Sequence, residues 1–126
     1  MSIQDVLAEL RKTYIEALPG RADTIEKMWS DRRYSDVETE FHKLKGTGKT
    51  YGIPEISQVG EITERLCECG TTSAEESVPA ALKLLRKIHD ARSKGLPWSL
   101  ENDPDFLYLS ELAREIHETT SGTKKR

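Results

Sequence analysis

The chain has 126 residues, enough for one domain whose modest core needs neither disulfide nor metal to hold it. Charged residues make up 33% and hydrophobic ones 36%, with 6% aromatic, a balance that suits amphipathic helices with solvated outer faces. A formal net charge of -3 and a pI near 5.7 give no basic footprint for a phosphate backbone, so nucleic acid is not an expected partner.

Ser2 with Asp5 three residues later reads as an N-cap pair, and Ile3, Leu7, Leu10, Tyr14 and Leu18 follow at alternating spacings of four and three. That predicts a first amphipathic helix. Pro19-Gly20 predicts a break, with Ala22, Ile25, Met28 and Trp29 forming the stripe of a second helix that ends near Asp31. Ser35 and Glu38 form a capping-box pattern ahead of a third helix, whose Val37, Phe41, Leu44, Gly48 and Tyr51 share one buried face. Gly52 is placed to end it. Pro54 opens a fourth helix with Ile56, Val59, Ile62, Leu66 and Cys69 on one side, closed by Gly70.

A fifth helix carries Val78, Ala81, Leu82, Leu85 and Ile88. Its start falls either at the Ser73/Glu76 capping box or at Pro79, because a proline in the second turn conflicts with the first choice. Leu96-Pro97-Trp98 is expected to be extended, and Asp103-Pro104 to open a last helix with Leu109, Leu112 and Ile116 on one side. No strand and no internal repeat is evident. Short connections between five or six helices predict an antiparallel bundle. Residues 1–95 are read as the bundle domain, 96–118 as a C-terminal helical extension packed on or beside it, and 119–126 as a disordered tail.

Cys67 and Cys69 sit two apart, roughly 200° from each other around a helix, so they are expected to remain free thiols in a reducing compartment. The N-terminal residues show no basic n-region, and no segment reaches the roughly 20 apolar residues of a membrane span, so the expected location is cytoplasmic, with no membrane partner.

The stretch Glu40 to Gly52 holds one histidine, three lysines and three glycines within helix-periodic sequence. Gly inside a helix costs on the order of 1 kcal/mol relative to Ala, so this density calls for a reason other than local stability. At about 100° per residue, His42 lies about 140° from the centre of the apolar stripe, on the solvent side. Lys45, Gly46 and Lys49 follow it at helical spacings on or beside the same face, with Glu38 one turn earlier. A neutral imidazole there can attack a phosphorylated carboxylate. Lys45 and Lys49 favour the neutral ring and then compensate the phosphoryl charge. Gly46 leaves room for a partner to approach, whereas Gly48, on the inner face, lets a neighbouring helix pack closely. On residue types alone, a solvated surface histidine among lysines is an equal reading.

His42-Lys43-Leu44-Lys45-Gly46-Thr47, with Gly52 and Ile56 further on, resembles the HxLKG signature of histidine-containing phosphotransfer (HPt) domains. The similarity reaches back through Leu10-Arg11-Lys12-Thr13-Tyr14-Ile15 and Leu18-Pro19, and forward to about Arg92. It implies an all-α, antiparallel four-helix bundle of HPt type, here with an N-terminal helix and an extra C-terminal helical segment. By the same resemblance, His42 is the phosphorylated residue, Lys45 the phosphate-stabilising cation and Gly46 the clearance for a partner's receiver domain. The family passes a phosphoryl group between aspartates of receiver domains on hybrid histidine kinases and response regulators. Lys49 after the small residues, and the element spanning 96–118, depart from the usual pattern.

No cofactor is expected on this chain, because no carboxylate trio accompanies His42, and Mg2+ is expected in the acidic pocket of the receiver. Without an ATP-binding segment the chain is expected to be a carrier, not an enzyme, and a monomer rather than a dimer. The alternative is an HPt-like module that regulates a kinase or response regulator by docking without carrying phosphate. Gly46-Thr47-Gly48-Lys49-Thr50 echoes the end of a P-loop, but Lys43 stands where that motif needs its first Gly, and a capped helix stands where it needs a strand. His89 and His117 read as helix C-terminal residues favoured by the dipole. Glu61, Glu64, Glu68, Glu75 and Glu76 read as solvated surface.

Overall fold

The computed structural model describes the backbone of residues 1–124 and the side chains of residues 1–117. Five helices form it: α1 (Ile3–Ser30), α2 (Tyr34–Thr50), α3 (Pro54–Glu68), α4 (Thr71–Lys94) and α5 (Pro104–Lys124), with one 3-10 turn at Leu100–Asn102. The connections before α2, α3 and α4 are so short that each helix folds back on the last. α1 and α3 each pack on both α2 and α4, which closes a four-helix bundle, and α5 lies against α3 and α4 from outside. No strand occurs among the described residues. α5 continues into the segment read as a disordered tail; residues 125–126, and all side chains from 118 onward, lie outside the described residues.

The expected break at Pro19-Gly20 is absent: α1 runs through it as one helix of 28 residues. Proline leaves the carbonyl of Ile15 without its helical donor and costs roughly 3 kcal/mol in a helix interior. Leu18, Ala22 and Ile25, all fully buried on one side, outweigh that cost, since burying a large aliphatic side chain is worth about 1.5–3 kcal/mol. Pro79 is likewise accommodated inside α4, which starts at Thr71 behind Gly70, earlier than either expected start. Ala74, Ser77, Val78, Ala81 and Leu82 are buried around it and hold the helix through the proline.

The capping box at Ser2 is present, with the Asp5 N–H donating to Ser2 Oγ (3.1 Å) and the Ser2 N–H donating to Asp5 Oδ2 (3.2 Å). The capping box expected at Ser35 and Glu38 is not. α2 begins two residues earlier than a Ser35 cap requires, at Tyr34 behind Arg33, whose side chain makes no cap bond and instead pairs with Asp36 at 2.7 Å. The stripe of the first helix is buried only from Tyr14 onward. Ile3 is 79% and Leu10 45% exposed, scattered apolar side chains of the kind a protein surface tolerates.

Leu109 and Leu112 of α5, with Leu100 ahead of it, join the common core, and Ile116 packs against it partly buried. A polar clasp fixes where α5 begins. Lys87 Nζ on α4 donates to both carboxylate oxygens of Asp103 (3.0 Å each) and to Asp105 Oδ2 (2.8 Å). The Trp98 indole donates to Asp103 as well, at 3.2 Å, and the Asp105 N–H donates to Asp103 Oδ1 at 2.9 Å. Asp103 is therefore buried but fully bonded, the condition under which a buried carboxylate is tolerated.

Candidate functional site

Val37, Phe41 and Leu44 turn the apolar face of α2 into the core at zero exposure, which forces His42 outward on the same helix. Its side chain is 67% exposed. Residues 46–50 lie within helical α2, so the P-loop echo has no loop to form in.

Two glycines set how close α3 comes. A Cβ built on Gly48 would lie 2.5 Å from the backbone N of Ser57, and one built on Gly60 would lie 2.5 Å from the N of Lys45 and 2.7 Å from the carbonyl of Phe41. Backbone therefore meets backbone at both positions. The Ser57 hydroxyl, between them, donates to the carbonyl of Lys45 at 2.8 Å. The close packing expected of Gly48 is present, and Gly60 is its counterpart on α3.

One turn beyond Gly60, this approach delivers Glu64 to the imidazole, with His42 Nδ1 2.7 Å from Glu64 Oε2. Glu64 is not the solvated surface residue expected of it; its side chain is only 15% exposed. A carboxylate can only accept, so Nδ1 carries a hydrogen, and in the neutral ring that leaves the lone pair on Nε2, which has no hydrogen-bond partner among the described residues. Chemically, this is a ring with one nitrogen occupied and oriented and the other open as a nucleophile.

Lys45 is half buried beside α3 and Lys49 is exposed. Neither has an ion-pair partner among the described residues, while Lys43 is paired with Glu40 at 3.0 Å. Two cations thus remain uncommitted near His42. A Cβ on Gly46 meets nothing within 4 Å, so the surface beside the ring is open. Glu38, one turn before His42, is half buried and lines a small cleft with Trp29, Tyr34, Ser35 and Cys67. Burial first, then the charges of Glu38, Glu68 and Glu64, push the Cys67 thiol up to about 12, so the thiol is inert at neutral pH.

α1 secures the far end of α2. Arg11 Nε donates to the carbonyl of Tyr51 at 2.7 Å, beside Gly52, whose φ of +72° only glycine adopts freely. The Thr47 hydroxyl donates to the carbonyl of Lys43 (2.9 Å), so its 2.7 Å contact with the Tyr14 hydroxyl has tyrosine as donor. Burial holds the Tyr14 phenol above its usual range, and the bonds to Thr47 and the charge of Arg21 offset this only in part.

Residues 9–95 match the Hpt domain, and the chain belongs to that family of histidine phosphotransfer proteins, phosphoryl-group carriers in two-component signalling. α5 lies beyond the matched residues. Comparison with curated proteins and with solved structures gave no match.

Proposed function

We propose that this chain is a phosphorelay carrier in which His42 takes a phosphoryl group from a phospho-aspartyl receiver domain and passes it to the aspartate of another. The observation that carries the reading is the 2.7 Å contact between His42 Nδ1 and Glu64, which leaves Nε2 free at the surface. The Nε2 lone pair forms the new N–P bond as the P–O bond to the aspartyl carboxylate breaks, and the carboxylate leaves with the electron pair. The ring then carries a phosphoryl group on Nε2 and a hydrogen on Nδ1, and Glu64 compensates the resulting positive charge. Lys45 and Lys49 stabilise the phosphoryl oxygens, and the same steps in reverse deliver the group onward.

Receiver domains of hybrid kinases and response regulators are the proposed partners, with Gly46 at the point of closest approach and Mg2+ held by the receiver's own acidic residues. No helix among the described residues is long and apolar enough to cross a membrane, consistent with a partner reached by diffusion. Incubation with a phosphorylated receiver is expected to give an acid-labile, alkali-stable phosphate on the wild type and none on His42→Gln. Label that survives in His42→Gln would refute the assignment. Glu64→Gln keeps a hydrogen-bonding side chain but removes the charge, and is expected to slow transfer without unfolding the protein. If His42→Gln keeps full signalling activity in the cell, docking without phosphate becomes the better account.

A further inference from the structure

We propose that α5 is a positioning element for the His42–Glu64 pair, holding the last turns of α3 so that the carboxylate stays on the imidazole. On its α2 side, α3 is gripped at Ser57 and Gly60, both before Glu64. Past Glu64 the helix has four more residues, ending at Glu68 with Cys69 in the cap position. The next residue, Gly70, sits at φ +119°. A helix end of this kind frays unless something is packed on it.

Cys67 on this end faces Tyr34 and Glu38 of α2, and α5 covers another side of it. Arg65, Leu66 and Cys69 face Ala113, Ile116 and His117 across one cleft of about 440 Å³, and Leu66, two residues from Glu64, is 1% exposed. α3 is thus held by α2, α4 and α5 together, with Glu64 on the α2 side and Leu66 turned to the core and to α5. α5 is in turn fastened to α4 through Lys87 and Asp103. Its link to His42 therefore runs through one short stretch of α3, and Ile116 is the α5 side chain best placed to transmit it.

The test reads the histidine ring itself, in the full-length protein. Ring 15N chemical shifts of His42 are expected to show hydrogen on Nδ1 in the wild type. Ile116→Ala is expected to shift the ring toward a mixture with hydrogen on Nε2, and Ile116→Leu to restore the wild-type shifts. Ile25→Ala, at a fully buried core position of α1, serves as a control: it is expected to lower the melting temperature at least as much and to leave the ring unchanged. Should Ile116→Ala fail to fold, Ile116→Val is expected to move the ring in the same direction by less. The proposal is overturned if the folded Ile116 variants leave the ring shifts unchanged, or if Ile25→Ala moves them equally. The consequence for transfer, a several-fold slower phosphorylation of Ile116→Ala, rests on the carrier reading above. Absence of label on the wild type would sink that reading and leave the ring result standing.

Discussion

The sharpest test of the architecture is a pair of identical substitutions with opposite expected signs. In Gly60→Ala, the new Cβ must find room 2.5 Å from Lys45 N, 2.7 Å from the Phe41 carbonyl and 3.0 Å from Lys45 Cα. All three are backbone atoms of α2, so no side chain can swing aside and the two helices must separate. Overpacking of this kind costs about 2 kcal/mol. The Ser57 bond to the Lys45 carbonyl stretches as well, a loss of about 1 kcal/mol. Alanine returns about 1 kcal/mol in helix propensity, leaving a net destabilisation of about 2 kcal/mol. For a domain of this size that lowers the melting temperature by about 8 °C. Gly46→Ala meets nothing within 4 Å and gains the propensity term alone, raising the melting temperature by about 2–4 °C. Calorimetry of the two variants beside the wild type decides the matter. If Gly60→Ala is as stable as the wild type, or Gly46→Ala loses as much as Gly60→Ala, the close crossing of α2 and α3 is wrong.

Thr63 is fully buried and its hydroxyl has no partner among the described residues, so Thr63→Val, which removes it at nearly constant shape, is expected to stabilise by about 1 kcal/mol. A lower melting temperature in that variant would mean the hydroxyl is bonded after all. Burial acts to raise the pKa of Glu55 and of Asp103, but bonds from Arg92 to the first, and from Lys87, the Asp105 N–H and Trp98 to the second, prevail and hold both below the usual carboxylate range. Their contribution is complete above the ordinary carboxylate pKa near 4 and is lost as pH falls through the lower folded values, so Asp103→Asn is expected to flatten the acid limb of a stability–pH profile. An unchanged acid limb would show that the Asp103 clasp contributes nothing. With its thiol held near 12, Cys67 should react with a thiol reagent at pH 8 far more slowly than exposed Cys69; two equally fast thiols would contradict that burial.

Much of the fold was legible because the signals were local and agreed. The phase of Val37, Phe41, Leu44 and Gly48 fixed which side of α2 His42 occupies, and the Ser2/Asp5 pair and Pro54 marked true helix starts. The failures lie where tertiary packing overrides a local rule. Pro19-Gly20 reads as a break to any local criterion, but Leu18, Ala22 and Ile25 need a continuous helix to stay on one buried face. Ser35 has the right residue type and spacing for a cap, yet the chain enters the helix two residues too early for it.

Glu64 was missed for a different reason. Its contact with His42 spans two helices, and periodicity along either one is blind to it. The signal that could have found it is the glycine on each arm of the α2–α3 hairpin. Setting Gly48 opposite Ser57, and Lys45 opposite Gly60, brings His42 level with Glu64. Small residues report where backbones touch, and that fixes the register of everything farther along.

The backbone contact between α2 and α3 also bears on the thermodynamics of encounter. An exposed histidine ordinarily samples several rotamers, and immobilising such a side chain when a partner docks costs about 0.5–1.5 kcal/mol. Here the ring is tied to a carboxylate on a helix that cannot drift away, so that entropy is lost when the chain folds and not when a partner arrives. What a partner meets is a nitrogen already aimed, with the binding energy of docking left for alignment of the reacting atoms.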